Sequence, residues 1–148
     1  MAAVLLLICS RGWYTWRHDH PGRPMFEVDL PADEWTDVGR WLREHTAHDA
    51  QLLADPGHAW RFGTSLRVSA ERDVFIEDVK DIAIGMYDRA VAMRNMERRS
   101  ALGDWVSLTP AQFQNLAARY DLQYLVTDQV EPFDEVYHNA RFHVYRLK

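Results

Sequence analysis

Three aspartates follow short apolar runs and are the residues of this chain best placed to do chemistry. Asp55, Asp78 and Asp128 each close a run that predicts a buried strand. Ligands of open α/β sheets bind beyond the carboxyl ends of the strands, so parallel neighbouring strands would bring the three carboxylates to one edge. Such an edge could hold a hard cation such as Mg²⁺, which takes oxygen ligands and often bridges to a phosphate. We therefore treat these aspartates as candidate catalytic residues.

Three basic residues stand between these aspartates in the sequence and are candidates for contacts with a phosphate ligand. They are Arg61, Arg67 and Lys80. A simpler interpretation is favoured, because aspartate is common in turns, where its side chain bonds nearby backbone. Residues 55–57, Asp-Pro-Gly, are typical of such a turn. In that case Arg67 or Lys80 would only form a structural ion pair with Asp78.

Other clusters of polar residues give weaker indications of a site. His45, His48 and Asp49 lie close together, but zinc sites need three or four converging ligands, so solvated histidines are the favoured interpretation. The sequence contains neither a glycine-rich phosphate loop nor a nucleophile-elbow motif. Its single cysteine, Cys9, excludes an internal disulfide and a cysteine-based metal cluster. The sequence therefore predicts no cofactor and no metal site.

The charge of the chain bears on its partners. A formal net charge of -5 gives no general attraction to nucleic acid, whose binders carry a basic footprint. One predicted helix carries a local basic stretch, made of Arg89, Arg94, Arg98 and Arg99. The solvated face of an amphipathic helix is the favoured interpretation of this stretch. Contact with anionic lipid headgroups is the alternative.

The first residues of the chain indicate a membrane interface. Residues 2–9 are apolar and uncharged, but a spanning helix needs about 20 such residues. The residues that follow mix aromatic and basic side chains, as at a helix end at headgroup level: Arg11, Trp13, Tyr14, Trp16 and Arg17. We predict that residues 1–17 end a transmembrane or interfacial helix that contacts membrane lipid, and that residues 18–30 form a linker. A buried strand or helix is the alternative.

Residues 31–148 predict one soluble α/β domain, because a chain of 148 residues with 47% hydrophobic content is typical of a single globular domain. Helices alternate with short apolar strands, which favours a three-layer, mixed and mainly parallel sheet with helices on its faces. A hairpin at residues 136–147 is predicted to add antiparallel edge strands. The predicted helices are residues 31–45, 82–98 and 110–120, and the predicted strands are 51–55, 74–78 and 124–128.

Two local signals position these elements. Thr109, Pro110 and Gln112 make a capping box with proline at the first helical position. Trp35, Val38 and Leu42 recur at helical spacing and predict a buried helix face.

Several stretches of the body together resemble one protein family. A "W-hydrophobic-R-E-N-T-P-x-D-A" segment is resembled by Trp35, Trp41–Thr46 and Asp49-Ala50. A "G-F-R … R … D-x-K" stretch is resembled by Arg61-Phe62, Arg67 and Asp78-Val79-Lys80. A "V-Y-x-N-x-x-F-x-V-Y-R-L" tail is resembled by Val136–Leu147. These motifs belong to C-terminal soluble domains of bacterial multi-pass membrane proteins similar to polyprenyl-phosphate-dependent (GT-C-like) glycosyltransferases. The resemblance covers roughly residues 30 to 148. His45 and Ala47 depart from it, since they replace the asparagine and the proline of the helix-end motif.

The resemblance implies a multi-pass parent protein with this domain outside the cytoplasm. Catalytic acidic residues of such glycosyltransferases lie in an early loop between transmembrane helices, and this chain has no matching region. It implies a non-catalytic accessory domain, with the missing transmembrane part of the parent as a partner. Arg11, Arg17 and Arg23 favour the cytoplasmic side instead under the positive-inside rule. The other hypothesis is a stand-alone phosphate- or nucleotide-binding enzyme that uses the strand-end aspartates.

Overall fold

The computed structural model describes residues 10–14, 17–18 and 32–148. The chain divides into two compact units, Met1–Pro31 and Ala32–Lys148. Within the described residues, no helix is both long enough and apolar enough to span a bilayer.

In the first unit, residues 10–14 are helical. The side chains of Trp13 and Tyr14 are 57% and 60% exposed, and the ring centroid of Tyr14 lies 4.4 Å from that of His18. The apolar run 2–9, Trp16 and most of the predicted linker lie outside the described residues, so their predicted roles stay predictions.

The second unit is a mixed α/β fold around a five-stranded sheet. The strands are β1 (Gln51–Ala54), β2 (Asp73–Val74), β3 (Tyr124–Thr127), β4 (Asp134–His138) and β5 (His143–Arg146). Their order across the sheet is β2-β1-β3-β5-β4. β1 pairs in parallel with β2 and β3, whereas β5 pairs antiparallel with β3 and β4. The predicted α/β class and the C-terminal hairpin are confirmed, but the sheet is evenly mixed rather than mainly parallel.

Six helices and one 3₁₀ turn accompany the sheet in the second unit. They are α1 (Glu34–His45), α2 (His58–Phe62), α3 (Leu66–Ser69), α4 (Asp78–Gly85), α5 (Arg89–Leu102), the turn Trp105–Ser107, and α6 (Pro110–Tyr120). The capping box predicted at Thr109 is confirmed, since its backbone N–H donates to Gln112 Oε1 at 2.8 Å and its hydroxyl accepts from the Gln112 N–H. A second capping box joins Asp33 and Thr36 at the start of α1.

Side chains that alternate along the strands divide the core into two clusters. Leu52 of β1 packs with residues of α1 and α3, whereas its neighbour Leu53 packs with residues of α5 and α6. Successive side chains of a strand point to opposite faces, so the two clusters lie against opposite faces of the sheet. The predicted α1 core residues, Trp35, Val38 and Leu42, are all buried.

Two predicted elements are wrong in their bounds. The strand predicted at 74–78 is observed only as Asp73–Val74, residues 75–77 form a buried loop, and α4 begins at Asp78. The helix predicted at 82–98 is instead two helices, since the chain turns at Met86–Asp88 and the Asp88 side chain caps α5 by accepting from Ala90 N–H. The short helices α2 and α3 have no counterpart in the prediction.

Candidate functional site

Two of the three candidate aspartates meet at the carboxyl edge of β1 and β3. Asp55 and Asp128 directly follow these parallel neighbours, which pair Ala54 with Val126. Arg61 of α2 lies between the two carboxylates: it forms an ion pair with Asp55, and its Nη2 lies 3.7 Å from Asp128 Oδ2. The structure therefore gathers two acidic residues around an arginine.

The Asp55 side chain also holds the turn that leads into α2. Its Oδ1 accepts a hydrogen bond from the Gly57 N–H at 2.8 Å, which is the local bond that favours aspartate in turns. The Asp55 carbonyl accepts from the backbone N–H of His58 at 2.9 Å. The turn interpretation of residues 55–57 thus agrees with these contacts, and both Asp55 oxygens are engaged.

Asp78 does not join the other two carboxylates. It begins α4, where its backbone N–H donates to the Pro56 carbonyl at 2.9 Å, but its side chain forms an ion pair with Arg99 of α5. The strand that was expected to end at Asp78 stops at Val74. Among the described residues, no group of three or more His, Cys, Asp or Glu side chains is arranged to hold a metal ion.

The other two basic candidates stand apart from Arg61. Arg67 donates to both oxygens of Asp81, at 2.6 and 3.1 Å, and to the Val74 carbonyl at 2.9 Å. Burial alone would raise the pKa of Asp81, but the hydrogen bonds and charge of Arg67 outweigh it and hold that pKa below its ordinary value. Arg67 is therefore a structural partner of Asp81 rather than a free phosphate ligand. Lys80 lies half-buried on α4 and forms no ion pair within the described part of the chain.

A buried polar network under α2 has no counterpart in the sequence prediction. His58 and Glu77 are both fully buried, with His58 Nε2 at 3.8 Å from Glu77 Oε2. Nδ1 of His58 lies 2.7 Å from the Asp55 carbonyl and therefore carries the proton, while Nε2 accepts from the Leu66 N–H at 3.2 Å. Burial lowers the pKa of His58 below its ordinary value of 6.5. The lone pair on Nε2 that accepts the Leu66 N–H is that of a neutral imidazole.

Glu77 also bonds with Ser65, which immediately precedes α3, and with Asp81 of α4. Ser65 donates its hydroxyl to Glu77 Oε2 at 2.7 Å, and the Glu77 backbone N–H donates to Asp81 Oδ2 at 2.8 Å. The other carboxyl oxygen, Oε1, is buried without a hydrogen-bond partner among the described residues. Since neither His58 nor Glu77 has exposed surface, the pair cannot touch a substrate in this conformation.

Arg61 separates two surface clefts. The larger, about 380 Å³, has Arg61, Asp128 and Trp105 in its wall together with residues 127–131. The smaller, about 200 Å³, lies towards α1 and contains Arg141. The Arg141 guanidinium stacks on Phe142, 5.1 Å from the ring centroid. Both clefts are open to a ligand, but the arginine that they share is already paired with two carboxylates.

The other described histidines of the second unit lie outside this network. His45 stacks on Trp41 with 4.9 Å between ring centroids, and His48 and Asp49 lie in an exposed turn. On the β4–β5 hairpin, Glu135 contacts His143 Nδ1 at 2.5 Å and His138 Nδ1 at 3.2 Å. The hydrogen bond with His143 holds the pKa of Glu135 below its ordinary value. The strand register that brings Glu135 beside His143 was not part of the sequence prediction.

No protein-family model and no curated protein sequence matches this chain. The resemblance to glycosyltransferase-like membrane proteins therefore rests on the motifs alone. Function has to be argued from the geometry of the residues.

Proposed function

We propose that this chain is a non-catalytic accessory domain of a glycosyltransferase-like integral membrane protein. Its α/β body would lie outside the cytoplasm and would be held at the membrane by residues 1–17. The main argument against catalysis is that each candidate aspartate already pairs with an arginine. Arg61 engages Asp55 and Asp128, and Arg99 engages Asp78.

This pairing argues against a reaction at the sheet edge. A bound Mg²⁺ needs several oxygen ligands that face the same point, and a guanidinium already occupies the space between Asp55 and Asp128. The buried His58 and Glu77 cannot serve instead, because both are inaccessible to solvent. The polar groups of the body hold α2, α3 and α4 together, which suits a domain that binds or positions a partner.

The membrane part of the proposal is supported by the first unit. Its described helical segment exposes Trp13 and Tyr14 beside the exposed Arg11. Aromatic and basic side chains together are enriched where a helix end meets the headgroups. The motif resemblance adds the expectation of a multi-pass parent.

The three-layer arrangement belongs to the same proposal. The two core clusters bring residues of α1 and α3 to one face of the sheet and residues of α5 and α6 to the other. This distribution supports helices on both faces, as in α/β domains whose sheet is largely covered.

Membrane fractionation of the full chain, expressed in a bacterial host, tests the proposal. We expect the chain to stay in the pellet after an alkaline carbonate wash, and the body to be digested by protease added outside intact spheroplasts. A variant with Leu6→Arg and Leu7→Arg should be released, whereas a control with Val106→Arg, at a side chain 88% exposed, should be retained. Release of the unmodified chain would refute the anchor, and protection from protease would place the body in the cytoplasm.

The alternative, a stand-alone phosphate- or nucleotide-binding enzyme, has one observation in its favour. The 380 Å³ cleft lies next to the carboxyl end of β3, the edge at which α/β sheets bind their ligands. Titration with Mg²⁺-ATP and with inorganic phosphate, followed by NMR, separates the two functions. Saturable binding that is lost in Arg61→Gln but kept in Arg40→Gln, a variant in the exposed face of α1, would favour the enzyme. Absence of saturable binding is the result expected for the accessory domain.

A further inference from the structure

The helices α4 and α5 form a hairpin whose free end is apolar and exposed. Met86 and Tyr87 lie in the connection between the two helices and are 74% and 90% exposed. Ile82 and Ile84 of α4 and Met93 of α5 are each more than half exposed. Large contiguous apolar surfaces on soluble domains are uncommon and mark interaction sites.

The hairpin bonds to and packs on the rest of the body at its base. Near the base, Arg98 donates to the Phe75 carbonyl at 2.5 Å, and Leu102 is buried in the core. Further along, Asn95 donates to the Asp81 carbonyl at 2.7 Å, which joins α5 to α4 itself. From Ile82 to Arg94 no residue of the hairpin is buried. The free end therefore projects from the core.

Of the three charged side chains between Ile82 and Arg94, Arg89 and Arg94 are basic, and the third, Asp88, caps α5 by accepting from the Ala90 N–H. Arg89 begins α5 at the free end and Arg94 lies one turn further, and neither forms an ion pair with any described carboxylate. Residues 78–102 carry five basic and four acidic side chains, a formal charge of +1, in a chain whose net charge is -5. The hairpin thus carries a small net positive charge within an acidic protein.

We propose that the free end of the α4–α5 hairpin docks on an anionic lipid bilayer. Met86 and Tyr87 would enter the boundary between headgroups and acyl chains, where tyrosine is enriched, and Arg89 and Arg94 would contact lipid phosphates. A projecting apolar end suits a fluid surface, because a bilayer needs no groove of matching shape. This inference deepens the proposed membrane attachment, which brings the body to a bilayer, but its test does not depend on the anchor.

The test measures how deeply the hairpin enters a bilayer. In the full chain with Cys9→Ser, one new cysteine is introduced by Met86→Cys and labelled with an environment-sensitive fluorophore. The matched control is Val130→Cys, at a site that is 82% exposed and lies outside the hairpin. A carboxyl-terminal histidine tag tethers each protein to vesicles that contain nickel-chelating lipid, phosphatidylglycerol and a nitroxide quencher on the acyl chain. Tethering places the body at the membrane whether or not residues 1–17 insert.

We expect the quencher to act on the label at position 86 and not on the label at position 130. Substituting Arg89→Gln and Arg94→Gln together should lower the ratio of inserted to free hairpin about 30-fold, since each basic residue near an anionic surface contributes about a fivefold preference. Phosphatidylcholine vesicles without anionic lipid should show a similar loss.

Equal quenching at positions 86 and 130 would overturn the proposal. Insertion that is unaffected by the arginine substitutions would overturn the role of charge. A dimer in sedimentation experiments that dissociates on Met86→Ser would assign the surface to a second copy of the chain instead. Release from carbonate-washed membranes together with insertion at position 86 would refute the anchor and leave the hairpin contact standing, so the two proposals fail separately.

Discussion

Arg61 Nη2 lies 3.7 Å from Oδ2 of Asp128, a contact that ties the short helix α2 to the end of strand β3. The same guanidinium pairs with Asp55 at the end of β1. One cation therefore bridges two parallel strands at the edge where α/β folds place their ligands. Ion pairs therefore connect the ends of β1 and β3 at this edge of the sheet.

The Arg61–Asp55 pair should contribute modestly to stability. Arg61 is 48% exposed and Asp55 18% exposed, so solvent screens part of the attraction. In a double-mutant cycle of Arg61→Gln and Asp55→Asn, we expect a coupling free energy of about 0.5–1 kcal/mol from urea unfolding. The matched pair Arg146–Asp134, in which both side chains are more than half exposed, should show no measurable coupling. An equally small coupling free energy for the Arg61–Asp55 pair would mean that this ion pair does not stabilise the edge of the sheet.

The buried His58 should make the stability of the domain depend on pH. Its pKa is lowered by burial. Below about pH 6.5 the unfolded chain therefore binds a proton at this histidine, whereas the folded chain does not. The stability that depends on a neutral, buried His58 is fully present above about pH 6.5 and is lost as the pH falls towards the pKa of His58 in the folded chain. Between about pH 6.5 and 5.5 the free energy of unfolding should fall, by at most about 1.4 kcal/mol per pH unit for one proton.

The control for this pH dependence is another histidine of the same domain. His58→Gln should flatten the slope of stability against pH, measured by urea unfolding at a series of pH values. His48→Gln, in an exposed turn, should leave the slope unchanged. An unchanged slope in His58→Gln would show that the histidine becomes protonated without unfolding.

Sequence predicts this fold where the signal is local. The capping box at Thr109 and the helical spacing of Trp35, Val38 and Leu42 each depend on residues that are close in the sequence. Both predictions are confirmed. The strand bounds at 74–78 were wrong because Phe75 and Ile76 are buried in the core after the strand has ended. An apolar run reports burial, and burial alone does not distinguish a strand from an ordered loop.

The candidate site shows the same limit at longer range. Sequence placed Asp55 and Asp128 at strand ends, and the parallel pairing of β1 and β3 brings them to one edge. It could not show that Arg61 lies between them, since α2 is only five residues long and too short for a helical spacing of apolar residues to be recognised. The contact of His58 with Glu77 also depends on tertiary packing that no spacing encodes.

Removing the partner of a buried carboxylate should cost far more than removing an exposed one. Arg67 and Asp81 are only 20% and 9% exposed and are joined by two hydrogen bonds. Arg67→Met would leave the charge of Asp81 buried without its cation, and we expect a loss of about 3 kcal/mol or more in urea unfolding. Arg40→Met removes an exposed pair with Asp37 and should cost less than about 1 kcal/mol. Similar losses in the two variants would mean that solvent reaches Asp81.

Gly39 of α1 is required by the close approach of α3. A Cβ atom at this position would lie 2.3 Å from Ser69 Oγ and 2.5 Å from Ser69 Cβ, so α1 and α3 would have to move apart. Gly39→Ala gains up to about 1 kcal/mol in helix propensity, but overpacking costs about 1–3 kcal/mol, and we expect a net loss of stability in urea unfolding. Adding Ser69→Gly should recover part of this loss, because it removes the side chain that the new methyl group meets. Glu44→Ala, on the exposed part of the same helix, is the control and should leave the unfolding midpoint nearly unchanged. If Gly39→Ala were as stable as that control, the contact between the two helices would be looser than the distances indicate.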